Sequence, residues 1–142
     1  MTVAGQDTVT LNRNIKAPVS EVYDAWTDAK LLQGWLAAKA HADARVGGRV
    51  RLEVPDPQGT HVVTGEYRQL VPDRLIIMTW TYEGPLSPSG PMEALLTIDL
   101  RAHGSQTQIA IRHEGLTSPP YREAIANGAW NQALDKLQVL LT

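Results

Sequence analysis

The sequence predicts an α+β fold in which an antiparallel sheet of about six or seven strands packs against a long C-terminal helix, with two short helices after the first strand. Three observations carry this. Six segments alternate apolar and polar residues with a period of two. The last five of them are joined by connections too short to hold crossover helices, so neighbouring strands must run antiparallel. The residues from about Pro119 to Leu141 collect one wide apolar arc at helical spacing, which has to lie across a sheet.

The elements follow in order. Thr8 to Lys16 (TVTLNRNIK) alternates as a half-buried strand does. Pro18 suits a first helical turn, and Val19, Val22, Tyr23 and Trp26 recur at helical spacing behind it. Asp28 reads as the N-cap of a second short helix carrying Leu31, Leu32 and Trp35. The period then changes to two. Gly47-Gly48 precedes Val50, Leu52 and Val54, with Arg49, Arg51 and Glu53 on the opposite, exposed face. Pro55-Asp56-Pro57-Gln58-Gly59 is turn chemistry. His61 to Val71 and Leu75 to Tyr82 are the next two strands, joined at Pro72-Asp73. Met92, Ala94, Leu96, Ile98 and Leu100 share one face of a further strand, and Ile109, Ile111 and His113 share one face of the last. Ser118 followed by Pro119 marks the start of the terminal helix, as an N-cap before proline at the first helical position. The helix is expected to run unbroken from there to Leu141. Its apolar arc takes in Ile125, Ala126, Ala129, Trp130, Ala133, Leu134, Leu137, Leu140 and Leu141.

Composition narrows the functional classes. With 142 residues, 43% apolar and 20% charged, the chain reads as one globular domain spanning residues 1–142. The absence of cysteine removes disulfides, thiolate zinc sites and a thiol nucleophile. A net charge of −2 and a pI of about 6.0 argue against nucleic acid as a partner. No stretch approaches the roughly 18 apolar residues of a membrane span, and no basic leader opens the chain, so a cytoplasmic location is expected. His41, His61, His103 and His113 are widely spaced and form no local metal-ligand motif, and neither a metal nor a cofactor is expected. There is no phenylalanine beside four tryptophans and four tyrosines, so every aromatic ring carries a hydrogen-bonding group.

Several short motifs together are more specific. Ala17-Pro18, Val22-Tyr23-Asp24-Ala25-Trp26-Thr27-Asp28, Trp35 and Val46-Gly47-Gly48 come first. Gly65-Glu66-Tyr67, Pro72-Asp73-Arg74-Leu75, Thr79-Trp80, and Trp130 with Leu134-Asp135-Lys136-Leu137 follow in order. In this order and spacing, from about Val9 to Leu141, the chain resembles the activator of heat-shock protein 90 ATPase homologues. These form a branch of the START-like, polyketide cyclase (SRPBCC) superfamily with the helix-grip fold. Three positions depart from the pattern: Lys30 stands where proline is usual, Leu36 where a second tryptophan is, and Ala129 where a glycine precedes the helix tryptophan.

The resemblance implies a curved sheet gripping the C-terminal helix with a cavity between them, and a hydrophobic or aromatic small molecule as partner. Within that frame, the small residues Ala126, Ala129 and Ala133 on the helix arc signify either close packing or a pocket lined by Tyr121, Ile125 and Ala129. Trp80 and Tyr82, two apart on one strand, fill the core or wall the ligand, and Met92 is expected beside them. Trp35 closes the mouth of the pocket or caps the core. His113 is either a hydrogen-bonded core histidine or, with Tyr121, a proton donor and acceptor of near-neutral pKa. The loop Gly84 to Pro91 is a solvated hairpin connection or a gate. Ligand binding is expected ahead of catalysis. The alternatives are a cyclase- or dehydratase-like enzyme acting on a polyketide or aromatic substrate, and a chaperone-interacting ATPase regulator. A chaperone partner is disfavoured because only the C-terminal-type domain of such activators is recognised, and homodimerisation is left open.

Overall fold

The computed structural model describes residues 2–4 and 7–142. Of the N-terminal segment, Met1, Gly5 and Gln6 lie outside the described residues. The chain runs β1 (Thr2–Ala4), β2 (Thr8–Ile15), α1 (Val19–Thr27), α2 (Ala29–Leu32), β3 (Lys39–Ala42), β4 (Arg49–Val54), β5 (His61–Val71), β6 (Leu75–Glu83), β7 (Met92–His103) and β8 (Gln106–Glu114). It ends in α3 (Pro119–Ala124), a π-helical segment (Ile125–Ala129) and α4 (Trp130–Leu141). One antiparallel sheet holds every strand in the order β1-β2-β8-β7-β6-β5-β4-β3. Six strands are those the alternation marks. The short β1 and β3 add a strand at each edge and carry no period of their own.

Alternation sorts the sheet faces as expected. In β7, Met92, Ala94, Leu96, Ile98 and Leu100 are buried, and β8 buries Thr107, Ile109, Ile111 and His113. The inner face meets the helices around a cluster of tryptophans. Trp26 of α1 lies edge-on to Trp35, with ring centroids 4.8 Å apart, and 5.5 Å from Trp130 of α4, which is 5.4 Å from Trp80 of β6. Asp28 caps α2 as predicted, its carboxylate accepting from the backbone N–H groups of Lys30 and Leu31 at 2.9 and 3.1 Å.

The terminal helix is not the single helix that its apolar arc predicts. Between α3 and α4 the helix is kinked: the wide, π-type turn over Ile125–Ala129 contains Gly128 outside helical geometry, with a left-handed φ of 113°. A side chain with a Cβ is strained there, and glycine is not. The spacing of buried residues explains the break. Tyr121 and Ile125 are four apart, Ile125 and Trp130 five apart, and Trp130, Leu134 and Leu137 resume the ordinary four and three. The extra residue in the wide turn keeps both helical pieces facing the sheet. It also moves Ala129 off the buried arc where the sequence places it, and Ala129 is exposed.

Candidate functional site

Between the inner face of the sheet and the terminal helix lies a cavity of about 180 Å³. Leu52, Val54 and Val63 of β4 and β5 form one wall, and Trp80 and Tyr82 of β6 continue it. Tyr121, Ala124, Ile125, Ala129, Trp130 and Ala133 line the helical side, with Leu36 and Leu86 contributed by connecting segments. The alanines together with the π-helical segment leave this space unfilled. Ala129 and Val54, both exposed, mark its rim.

Its polar groups include those of four rings, Trp80, Tyr121, Tyr82 and His61. Trp80 donates its indole N–H to the Tyr121 hydroxyl oxygen at 2.9 Å, deep in the protein. The rings of Tyr121 and Tyr82 stack with centroids 4.1 Å apart. The Tyr82 hydroxyl lies 2.5 Å from Nδ1 of His61 and accepts the backbone N–H of Leu86 at 3.2 Å. Nε2 of His61 in turn lies 3.3 Å from Asp56 Oδ2. Asp56 sits in the turn between β4 and β5 and also accepts the backbone N–H of Gln58, which with His61 holds its carboxyl below the usual range. The Asp56 carboxylate beside Nε2 favours the proton on that nitrogen, which in the neutral imidazole leaves Nδ1 to accept the Tyr82 phenol proton. Burial pushes the Tyr82 and Tyr121 pKa values up, so both remain protonated donors across the physiological range.

Gly84 explains how Tyr82 fits beneath its loop. A Cβ at that position would stand 2.5 Å from the Tyr82 hydroxyl oxygen and 3.2 Å from the His61 Cα. The same loop is tied to the terminal helix by Ser118, whose hydroxyl donates to the carbonyl of Leu86 at 2.6 Å. Ser118 therefore makes no side-chain cap to α3, contrary to expectation, and Pro119 opens that helix with no N–H to satisfy.

Of the residues singled out in the sequence, Trp80, Tyr82, Tyr121, Ile125 and Ala129 come together on the cavity wall. Trp35, Met92 and His113 do not reach it. Trp35 is core, donating its indole N–H to the carbonyl of Ala25 at 3.0 Å. Met92 is buried in β7 opposite Tyr82, outside the lining. His113 sits fully buried between β2 and β7, opposite Val9 and Leu96. Its Nδ1 accepts the indole N–H of Trp130 at 3.1 Å, which leaves the second nitrogen as the protonated one. That nitrogen has no hydrogen-bond partner among the described residues. The aromatic rings of Trp80 and Tyr121 stand edge-on to the imidazole, at 5.3 and 6.4 Å. Burial pushes its pKa down to about 3, well below the near-neutral range considered for it.

His61 is the titratable cavity residue that sequence reasoning passed over, because as one of four scattered histidines it matches no motif. The signal that could have found it is its place at the first residue of a strand behind a Pro-Asp-Pro turn, where the hairpin returns Asp56 to its side. Among the described residues no group of His, Asp and Glu side chains could hold a metal ion. No helix among the described residues is long and apolar enough to cross a membrane.

Comparison with known proteins fits this architecture. A family model described as Activator of Hsp90 ATPase homolog 1-like protein matches residues 16–142. The human activator of 90 kDa heat shock protein ATPase homolog 1 is 25% identical over 111 residues, covering 78% of this chain and 30% of the human protein. The chain thus spans about 30% of the length of the curated relatives it matches. A crystal structure of a Chromobacterium violaceum protein is 29% identical with a TM-score of 0.79, over 95% of this chain and 96% of that one. DynU16, a protein in the dynemicin biosynthetic locus, shares the fold with a TM-score of 0.76 at 20% identity, over 96% of this chain and 48% of its own. With its sheet, terminal helix and nearly the whole sequence matched, the chain belongs to the Activator of Hsp90 ATPase homolog 1-like protein family and has the helix-grip fold.

Proposed function

We propose that the chain is a small-molecule binding domain that holds a compact apolar or aromatic ligand in the cavity between sheet and terminal helix. The observation that supports the reading most is the cavity itself, about 180 Å³ and lined almost wholly by apolar side chains. A close-packed interior leaves few voids of this size, and an apolar cavity of about 150 Å³ accepts benzene. The volume therefore suits one aromatic ring with a short substituent, below the roughly 300 Å³ at which pockets begin to enclose drug-sized ligands. Trp80, Tyr82, Tyr121, Ile125 and Ala129 are the proposed contacts. A related fold in a biosynthetic locus supports a small-molecule role.

Trp80 and Trp130 line the cavity and serve as built-in reporters. Titration of the protein with a panel of one-ring and two-ring aromatics should quench tryptophan fluorescence saturably. Native mass spectrometry of freshly purified protein should show the same stoichiometry. A panel that produces no saturable quenching and no mass shift contradicts the reading. Similarity to the human activator of 90 kDa heat shock protein ATPase homolog 1 supports a second reading, regulation of a heat-shock protein 90 ATPase. It is checked by adding the chain to that ATPase and measuring turnover, where an unchanged rate counts against it.

A further inference from the structure

Among the described residues, one hydroxyl on the cavity wall, that of Tyr121, accepts a hydrogen bond and finds no acceptor for its own proton. Tyr121 is 7% exposed, and its hydroxyl oxygen accepts the Trp80 indole N–H at 2.9 Å. An indole nitrogen can only donate, so it fixes the phenol in the accepting sense along that bond. The phenol's own proton then needs a separate acceptor, and none is found among the described residues. A buried donor left unsatisfied is costly, and a native structure that keeps one has a reason for it. The neighbouring Tyr82 hydroxyl is differently placed. Its proton is engaged by His61 and one lone pair by Leu86, which leaves a single lone pair free. Asp56 and His61 thus hold Tyr82 in place while Tyr121 carries the unspent donor, and the two stacked rings put both phenols in one wall.

Charge sets a further limit. Among the described residues no lysine or arginine lines the cavity, and its histidine, His61, already faces the Asp56 carboxylate, so an anionic ligand would lose its hydration without a free counter-charge. We infer that the site is built for an uncharged aromatic compound bearing an acceptor oxygen, a carbonyl or hydroxyl on or next to the ring, whose oxygen takes the Tyr121 proton. This deepens the proposed binding function and rests on it. Asp56 and His61 are positioning residues for Tyr82, and Tyr121 is the recognition residue.

Three one-ring probes of similar shape separate the outcomes: ethylbenzene, acetophenone and benzoate, titrated against tryptophan fluorescence at pH 8. Acetophenone is expected to bind at least about fivefold tighter than ethylbenzene, the scale of one net hydrogen bond, and benzoate weakest of the three. In Tyr121→Phe the preference for acetophenone over ethylbenzene should disappear while ethylbenzene still binds. Because Tyr121→Phe also leaves the Trp80 indole N–H unpaired, the double substitution Trp80→Phe/Tyr121→Phe provides a second variant, with Trp130 as its reporter and the same loss of preference expected. Equal affinities for ethylbenzene and acetophenone in the wild-type chain overturn the inference and leave the binding function standing. Tighter binding of benzoate also overturns it. Failure of all three to bind overturns both.

Discussion

Lowering the pH from 7 to 5 should cost the protein more stability than a variant lacking His113, and the difference can be worked out in advance. His113 is fully buried, and its folded-state pKa is pushed down to about 3, whereas an unfolded histidine titrates near 6.5. Below pH 6.5 the unfolded chain therefore binds a proton at this position that the folded chain refuses until pH falls to about 3. The unfolded state binds more protons throughout that window, so stability falls as pH falls, at about 1.4 kcal/mol per pH unit. From pH 7 to pH 5 the loss comes to about 2 kcal/mol. Urea unfolding of the wild type and of His113→Gln at both pH values isolates it, because the exposed ion pairs contribute equally to both proteins. The side-chain carbonyl of the introduced glutamine can still accept from Trp130, which keeps the variant foldable. The wild type should lose about 2 kcal/mol more than the variant on acidification. An equal loss in the two proteins would refute the assignment of His113 as a neutral core histidine.

Two further outcomes follow from the backbone. Gly128→Ala places a Cβ at a φ of 113° within the π-helical segment and should lower stability by about 1 to 2 kcal/mol, read from the denaturation midpoint. Asp28→Ala removes the two N-cap hydrogen bonds of α2 and should cost about 1 kcal/mol in the same assay, while Asp28→Asn should recover most of it.

Much of this architecture was legible in the sequence because period-two alternation depends only on which face is buried. That pattern placed His113, Trp80 and Tyr82 on the inner face and the exposed arginines of β4 on the other. What alternation could not convey was depth. It gave His113 the right face but not its place between Val9 and Leu96 on the neighbouring strands with its Nδ1 bonded to Trp130, off the cavity lining. Trp35 illustrates the same limit, since its helical spacing is compatible with mouth or core and only its bond to Ala25 decides. The break in the terminal helix was written in the sequence as Gly128 and as the five-residue step from Ile125 to Trp130. An apolar arc drawn wide enough to include the alanines absorbs that step and conceals it. The Asp56, His61 and Tyr82 contacts depend on strand register, which pairs Val54 with His61 and Val63 with Tyr82, and register is not a local property of any segment.

A ligand site and a packing defect respond differently to being filled, and filling the cavity is therefore the most direct test of the proposed binding function. Ala133 lines the cavity from α4, and Ala133→Phe would occupy much of the space with a ring of its own. Acetophenone titrated against tryptophan fluorescence should saturate with the wild type and bind at least about tenfold more weakly to Ala133→Phe, with the unfolding midpoint of the variant preserved or raised. Equal binding by the two proteins, or no binding by the wild type, would contradict the assignment of this cavity as the binding site.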